Sequence, residues 1–151
     1  KYFGVLYPLQ TFNKTNQNIL EFPLCIEANN TIFEKKLLKL ANKLSNKVEL
    51  IDSQQRKIIH LAAVFSCNFT NHLFSIADNL LAKANIDFKI LLPLIQQTYQ
   101  QLEKNKPSEL QTGPAARKDI NTINKQLDDI TDKKIKNIYR IITNSIMKND
   151  N

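Results

Sequence analysis

A chain of 151 residues with 42% hydrophobic content is long enough for one domain with a core, or for a small domain and part of another. Two glycines all but exclude a Gly-rich nucleotide loop, and Cys25 and Cys67, far apart and in no CxxC, read as the reduced thiols of a cytoplasmic protein. The net charge of +7 invites nucleic acid, but arginine occurs only at Arg56, Arg117 and Arg140. The lysines mix with acids, as at Lys133, Lys134 and Lys136 beside Asp128, Asp129 and Asp132, and read as solvated helix faces rather than a nucleic-acid surface.

The chain begins at Lys1-Tyr2-Phe3, already in an apolar run and with no signal peptide, which reads as a cut through a longer protein. Residues 2–12 predict a strand running into a loop, and Leu20–Ala28 a second strand. Asn29, Asn30 and Thr31 offer caps, with Glu34 placed for a capping box, ahead of an amphipathic helix to about Asn46. Val48–Ile51 predicts a third short strand. These elements are too few to cover both faces of their own sheet, so residues 1–51 are expected to be the tail of a larger α/β sheet.

From Asp52 to Ala84 the chain has neither Gly nor Pro and is apolar nearly all round, which predicts a helix of some 30 residues, about 45 Å long, with other helices packed around it. Arg56, His60, Asn68 and Asp78 interrupt it, so it holds no 18-residue apolar run and is not a membrane span. Asp87 caps a helix to about Lys104 with Pro93 early in it. Asp119 caps the next, and Thr131 or Asp132 the last.

No complete catalytic motif or metal-ligand cluster is present. A polar stripe of Arg56, His60, Cys67 and Asn71, with Asn68, runs along the long helix. Either it lines a substrate cleft, or Asn68 and Asn71 bond backbone in the core and His60 is a packed histidine. The loop Leu110–Asp119 is also ambiguous. Thr112-Gly113-Pro114 reads as a tight turn with Pro at a first helical position, or as free amides that, with Arg117, hold a carboxylate or phosphate.

Taken together, Tyr7–Phe12 (YPLQTF), Leu24–Ala28 (LCIEA), Arg56 with His60–Asn68 (HLAAVFSCN), Leu91–Thr98 (LLPLIQQT) and Thr112–Asp119 (TGPAARKD) resemble the C-terminal domain that follows an NADP-binding Rossmann domain in a family of oxidoreductases. That family is similar to pyrroline-5-carboxylate reductase and, more distantly, to prephenate and 6-phosphogluconate dehydrogenases. The resemblance spans nearly the whole chain. It implies a mostly α fold, a helical bundle like the C-terminal domain of 6-phosphogluconate dehydrogenase, preceded by the last strands and one helix of a Rossmann-type sheet. The domains would be residues 1–51 and an all-helical substrate and dimerisation domain over residues 52–151. Two positions depart from the family pattern: Tyr7 stands where the motif has histidine, and Lys118 where the loop has glycine.

The resulting expectation is the C-terminal portion of a cytoplasmic NADP-dependent oxidoreductase, a homodimer acting on a small molecule, with the dinucleotide motif outside this chain. The cofactor carries the hydride chemistry and the protein orients substrate. Gln10 and Thr11 would lie near the nicotinamide, and His60 would act as acid or base. Arg56, Asn68, Thr112, Gly113, Pro114 and Arg117 would hold substrate. The rival reading is a stand-alone helical interaction module that binds an acidic partner through its lysine-rich faces.

Overall fold

The computed structural model describes residues 1–10 and 22–148; Thr11 and the adjoining ends of the first two expected strands lie outside them. The chain is mostly helical, with a small three-stranded sheet near its N-terminus. By contacts it divides into two compact units between His72 and Leu73, inside the long helix.

In the first unit, β1 (Gly4–Pro8) runs antiparallel to β2 (Pro23–Ala28), and β2 runs parallel to β3 (Lys47–Leu50). Parallel neighbours need a crossover, and α1 (Thr31–Leu44) supplies it. The helix starts at Asn30, whose side chain accepts from the amides of Ile32 and Phe33, so the cap lies one residue ahead of Thr31 and needs no box with Glu34. It ends at buried Ser45, whose Oγ donates to the Phe22 carbonyl at 2.5 Å and accepts from the Lys47 amide at 3.1 Å.

Side chains alternate across a strand. Leu24 and Ile26 therefore face one side, where with Ala41 they form the buried core, flanked by Leu37, Leu38 and Val48. Cys25 and Glu27 face the other side, and the pairing of Tyr7 with Cys25 and of Val5 with Glu27 puts Tyr7 there as well. Gly4 approaches the first face so closely that an added Cβ would lie 2.6 Å from the Glu27 carbonyl oxygen and 3.1 Å from Leu37 Cδ2.

The long helix starts at Asp52, which accepts from the Gln54 and Gln55 amides at 2.8 Å each, while the Gln55 side chain accepts from the Asp52 amide at 3.0 Å, a full capping box. It proceeds as α2 (Ser53–Ala63), a π-helical segment (Val64–Phe69) and α3 (Thr70–Ala82). The expected single run is there, but the widened turn is not legible in hydrophobic spacing. None of the helix's residues is buried, and Ile58 and Phe65 are 68% and 62% exposed. The expectation of a helix buried on all sides is not met among the described residues.

In the second unit, α3 ends on Asn85, held at φ +55, with the Ile86 amide bonding Leu81 and the Asn85 amide bonding Ala82. This is a Schellman cap with asparagine in the place usually held by glycine. A short 3₁₀ turn (Phe88–Leu91), capped by Asp87, leads into α4 (Leu92–Leu102), with Pro93 tolerated in its first turn. Asp119 caps α5 (Ile120–Asp129), and Asp132 accepts from the Lys134 and Ile135 amides at the head of α6 (Lys133–Lys148). Ala115, Ile123 and Thr143 are its buried residues. No helix among the described residues is long and apolar enough to cross a membrane.

Candidate functional site

The second face of the sheet carries the polar residues, and α2 meets it through them. Arg56 Nη1 donates to Glu27 Oε2 at 2.6 Å, its Nη2 donates to Ser53 Oγ at 3.0 Å, and Ser53 Oγ donates to Glu27 at 2.8 Å. The Arg56 guanidinium, followed by Ser53, holds the Glu27 carboxyl below its ordinary pKa. One helical turn on, His60 Nδ1 lies 3.1 Å from the Tyr7 hydroxyl. Positions i and i+4 of the helix thus reach two strands of the sheet, Glu27 on β2 and Tyr7 on β1. Cys25 is buried on the same sheet face. Burial pushes its thiol pKa up, Glu49 adds to this and Arg56 opposes it, so the thiol is protonated at neutral pH.

Beyond His60 a pocket of about 480 Å³ opens, a volume in the range of small-molecule sites. Tyr7, Gln10, His60, Ser66, Cys67 and Asn68 bring polar atoms to it, and Leu9, Ala63 and Val64 give it apolar wall. Three consecutive residues of this lining, Ser66–Asn68, lie on the π-helical segment. Its i→i+5 turn advances each residue by less than the roughly 100° of an α-helix. Thr70 Oγ1 donates to the Phe65 carbonyl at 3.2 Å, a partner five residues back.

Of the residues expected from sequence, Gln10, His60 and Asn68 therefore come together, and His60 and Asn68 are exposed rather than packed in a core. Arg56 is not in the pocket lining; its charge is taken by Glu27. Tyr7, noted in the sequence only as a departure, is the direct partner of His60. The signal that leads to it is the acid in the otherwise apolar strand Leu24–Ala28, which marks a second polar sheet face, and the strand alternation that places Tyr7 on it.

The loop around Gly113 belongs to the second unit. Gly113 takes φ +93, which favours glycine, and Lys118 takes φ +55, the left-handed region. The turn thus keeps a glycine-like backbone although lysine occupies the position. The amides of Arg117, Lys118 and Asp119 bond the carbonyls of Gly113, Ala115 and Pro114, so these three are spent inside the loop rather than free for an anion. Thr112 and Pro114 line a pocket of about 310 Å³ whose walls are mainly apolar, including Leu73, Ile76, Ile138 and Ile142. Its polar edge is Tyr139, whose hydroxyl donates to Gln126 Oε1 at 2.5 Å.

The helix starts that follow strands do not fit a dinucleotide pyrophosphate. Both helix starts that follow strands are closed by their own side chains, Asn30 at α1 and Asp52 at α2, and neither turn contains glycine. A carboxylate at the head of α2 would also repel a pyrophosphate that a glycine-rich turn would accept.

Sheet, helices and pocket together define a mostly helical domain with a three-stranded sheet near its N-terminus and a polar pocket where the sheet meets the long helix. The chain belongs to the family described as a domain of unknown function, DUF2520, whose model matches residues 22–146. It is similar to the crystal structure of BF3122 from Bacteroides fragilis, provisionally named an NADP oxidoreductase. Identity is 42%, the TM-score is 0.90, and the match covers 97% of this chain and 57% of that one. It also resembles in fold the protein TM1727 from Thermotoga maritima, at 22% identity and a TM-score of 0.70, over 95% of this chain and 59% of that one. The chain thus spans less than two thirds of the length of either. No curated protein matches.

Proposed function

We propose that the chain is the C-terminal portion of an NADP-dependent oxidoreductase and that the pocket beside Tyr7 and His60 is its substrate cleft. The observation that carries this reading is the convergence of Gln10, His60 and Asn68 on one pocket of small-molecule size. The likeness to a longer protein named for NADP supports the cofactor. Because the helix starts that follow strands make no pyrophosphate cradle, a Rossmann-type part of the longer protein would supply it. What this chain contributes is orientation and a titratable group. His60 exchanges a proton with substrate, and Gln10 and Asn68 hold its polar atoms. The helical part, of the type found in the C-terminal domain of 6-phosphogluconate dehydrogenase, closes the cleft and forms a homodimer. That reading gives a role to Ile58, Leu61, Phe65 and Phe69, all more than half exposed on the long helix. A cytoplasmic setting suits two free cysteines.

The test is an NADPH fluorescence titration of the full-length protein beside the 151-residue chain alone. The full-length protein should bind and the chain alone should not. Tight binding by the chain alone, or none by the full-length protein, would sink the reading.

A further inference from the structure

The residue bonded to His60 sits at the position where the sequence departs from its motif, and what that bond does depends on which atom donates. A phenol O–H, with an ordinary pKa of about 10, is a far better donor than a neutral imidazole N–H. The unprotonated ring nitrogen, in turn, is a far better acceptor than a phenol oxygen. The contact is 3.1 Å, and with the Tyr7 O–H as its donor the bond ends on His60 Nδ1. A neutral imidazole that accepts at Nδ1 carries its hydrogen on Nε2. Among the described residues His60 has no other hydrogen-bond partner, so Nε2 is the nitrogen left to a ligand.

Resting on the cleft reading above, we propose that Tyr7 is a positioning residue that fixes His60 as the Nε2–H tautomer, so that the pocket offers a neutral donor to an acceptor atom of the substrate, a carbonyl oxygen or an imine nitrogen. Both partners are held from ordered elements. Tyr7 is paired with Cys25 in the β1–β2 ladder, and Arg56 ties α2 to Glu27 one turn before His60. The described lining matches a neutral group: Gln10, Ser66, Cys67 and Asn68 surround the pair, and no Lys, Arg, Asp or Glu is among them. Arg56, four residues before His60 on the helix, is already engaged by Glu27 and Ser53.

The experiment is a long-range ¹⁵N–¹H correlation spectrum of the imidazoles of the labelled chain at about pH 8, where an ordinary histidine is neutral. The chain holds two histidines, His60 and His72, and His72→Gln assigns them. The expected result is a His60 ring protonated at Nε2 alone, and a mixture of tautomers in Tyr7→Phe with His72 unchanged. Tyr7→Met serves if the phenylalanine variant does not fold. A His60 protonated at Nδ1, or the same tautomer ratio with and without the hydroxyl, overturns the proposal. The measurement needs neither substrate nor cofactor. Its failure leaves the cleft reading standing, whereas failure of that reading shows as full turnover in full-length His60→Ala protein while the wild-type His60 tautomer is still fixed.

Discussion

Gly4→Ala should loosen the first unit at the strand that carries Tyr7. An added Cβ would lie 2.6 Å from the Glu27 carbonyl oxygen, 3.1 Å from Leu37 Cδ2 and 3.2 Å from Phe33 Cε1. The nearest atom is backbone, held in the β1–β2 ladder next to the Gly4–Ala28 pair, so it cannot swing aside as a side-chain tip would. Overpacking of this kind costs about 1–3 kcal/mol. The lower entropy of the unfolded alanine chain returns about 0.4–1 kcal/mol. The net loss is about 0–2.6 kcal/mol, which for a chain of this size lowers the melting temperature by up to roughly 10 °C. Any relief by moving β1 also carries Tyr7 away from His60, and a 3.1 Å hydrogen bond has only a few tenths of an ångström to give. Circular-dichroism melts measure the first effect and the His60 tautomer spectrum the second. An alanine variant that melts above the wild-type temperature would refute the close approach of β1 to β2. Gly113→Ala is the informative contrast, because nothing lies within 4 Å of its added Cβ and only the torsion, φ +93, resists it.

His60→Ala and Asn68→Ala should leave the melting temperature nearly unchanged, within ~1 kcal/mol of stability, because both residues are exposed; large shifts in both would mean they are structural. Lys118→Gly should raise the melting temperature by about 1–4 °C, since glycine removes the strain of a left-handed lysine at φ +55 and returns part of the gain as entropy; a drop would show that the lysine's contacts outweigh the strain. Glu27, Asp119 and Asp132 all have carboxyls below their ordinary pKa, held there by Arg56, by Thr122 and by the Ile135 amide respectively. A carboxyl whose folded pKa is depressed stabilises the fold above its unfolded value and loses that contribution as pH falls through the folded one. Melts should therefore weaken below about pH 4, and Asp119→Asn and Asp132→Asn should flatten that acid limb; a melting temperature indifferent to pH down to about 2 would contradict the capping bonds. Sedimentation at micromolar concentration should show a dimer that Phe65→Asp weakens, given that obligate interfaces bury above about 2,000 Å² of largely apolar surface; a clean wild-type monomer would remove the dimer from the proposal.

Local chemistry was the legible part of the fold. Asp87, Asp119 and Asp132 announce helix starts because a short acceptor side chain meets the orphan amides wherever a helix begins, whatever it later packs on. The alternation of Leu24 and Ile26 with Cys25 and Glu27 likewise follows from the pleat alone. The π-helical segment was not legible, since Val64–Phe69 is as apolar as its neighbours and period counting assumes the very turn that changes there. The exposure of the long helix was not legible either. An all-round apolar surface states that something must cover it, and says nothing about whether the cover comes from the same chain.

The site shows the same division at higher resolution. His60 and Asn68 stand out in the sequence because polar residues in an apolar helix demand partners, but the sequence does not say which partner each one takes. Arg56 satisfies the same spacing rule and is nevertheless withdrawn from the pocket, because Glu27 lies two residues from Cys25 on the sheet face beneath it. Tyr7 satisfies no helical rule and is brought in, because it pairs with Cys25 across the β1–β2 ladder. The face that β2 turns to the helix decides the first outcome, and the β1–β2 register decides the second. Shifting β1 by a single residue would turn Tyr7 to the Leu24–Ile26 side and leave His60 without its partner. The chemistry of the pocket depends on that register as much as on the identity of its residues.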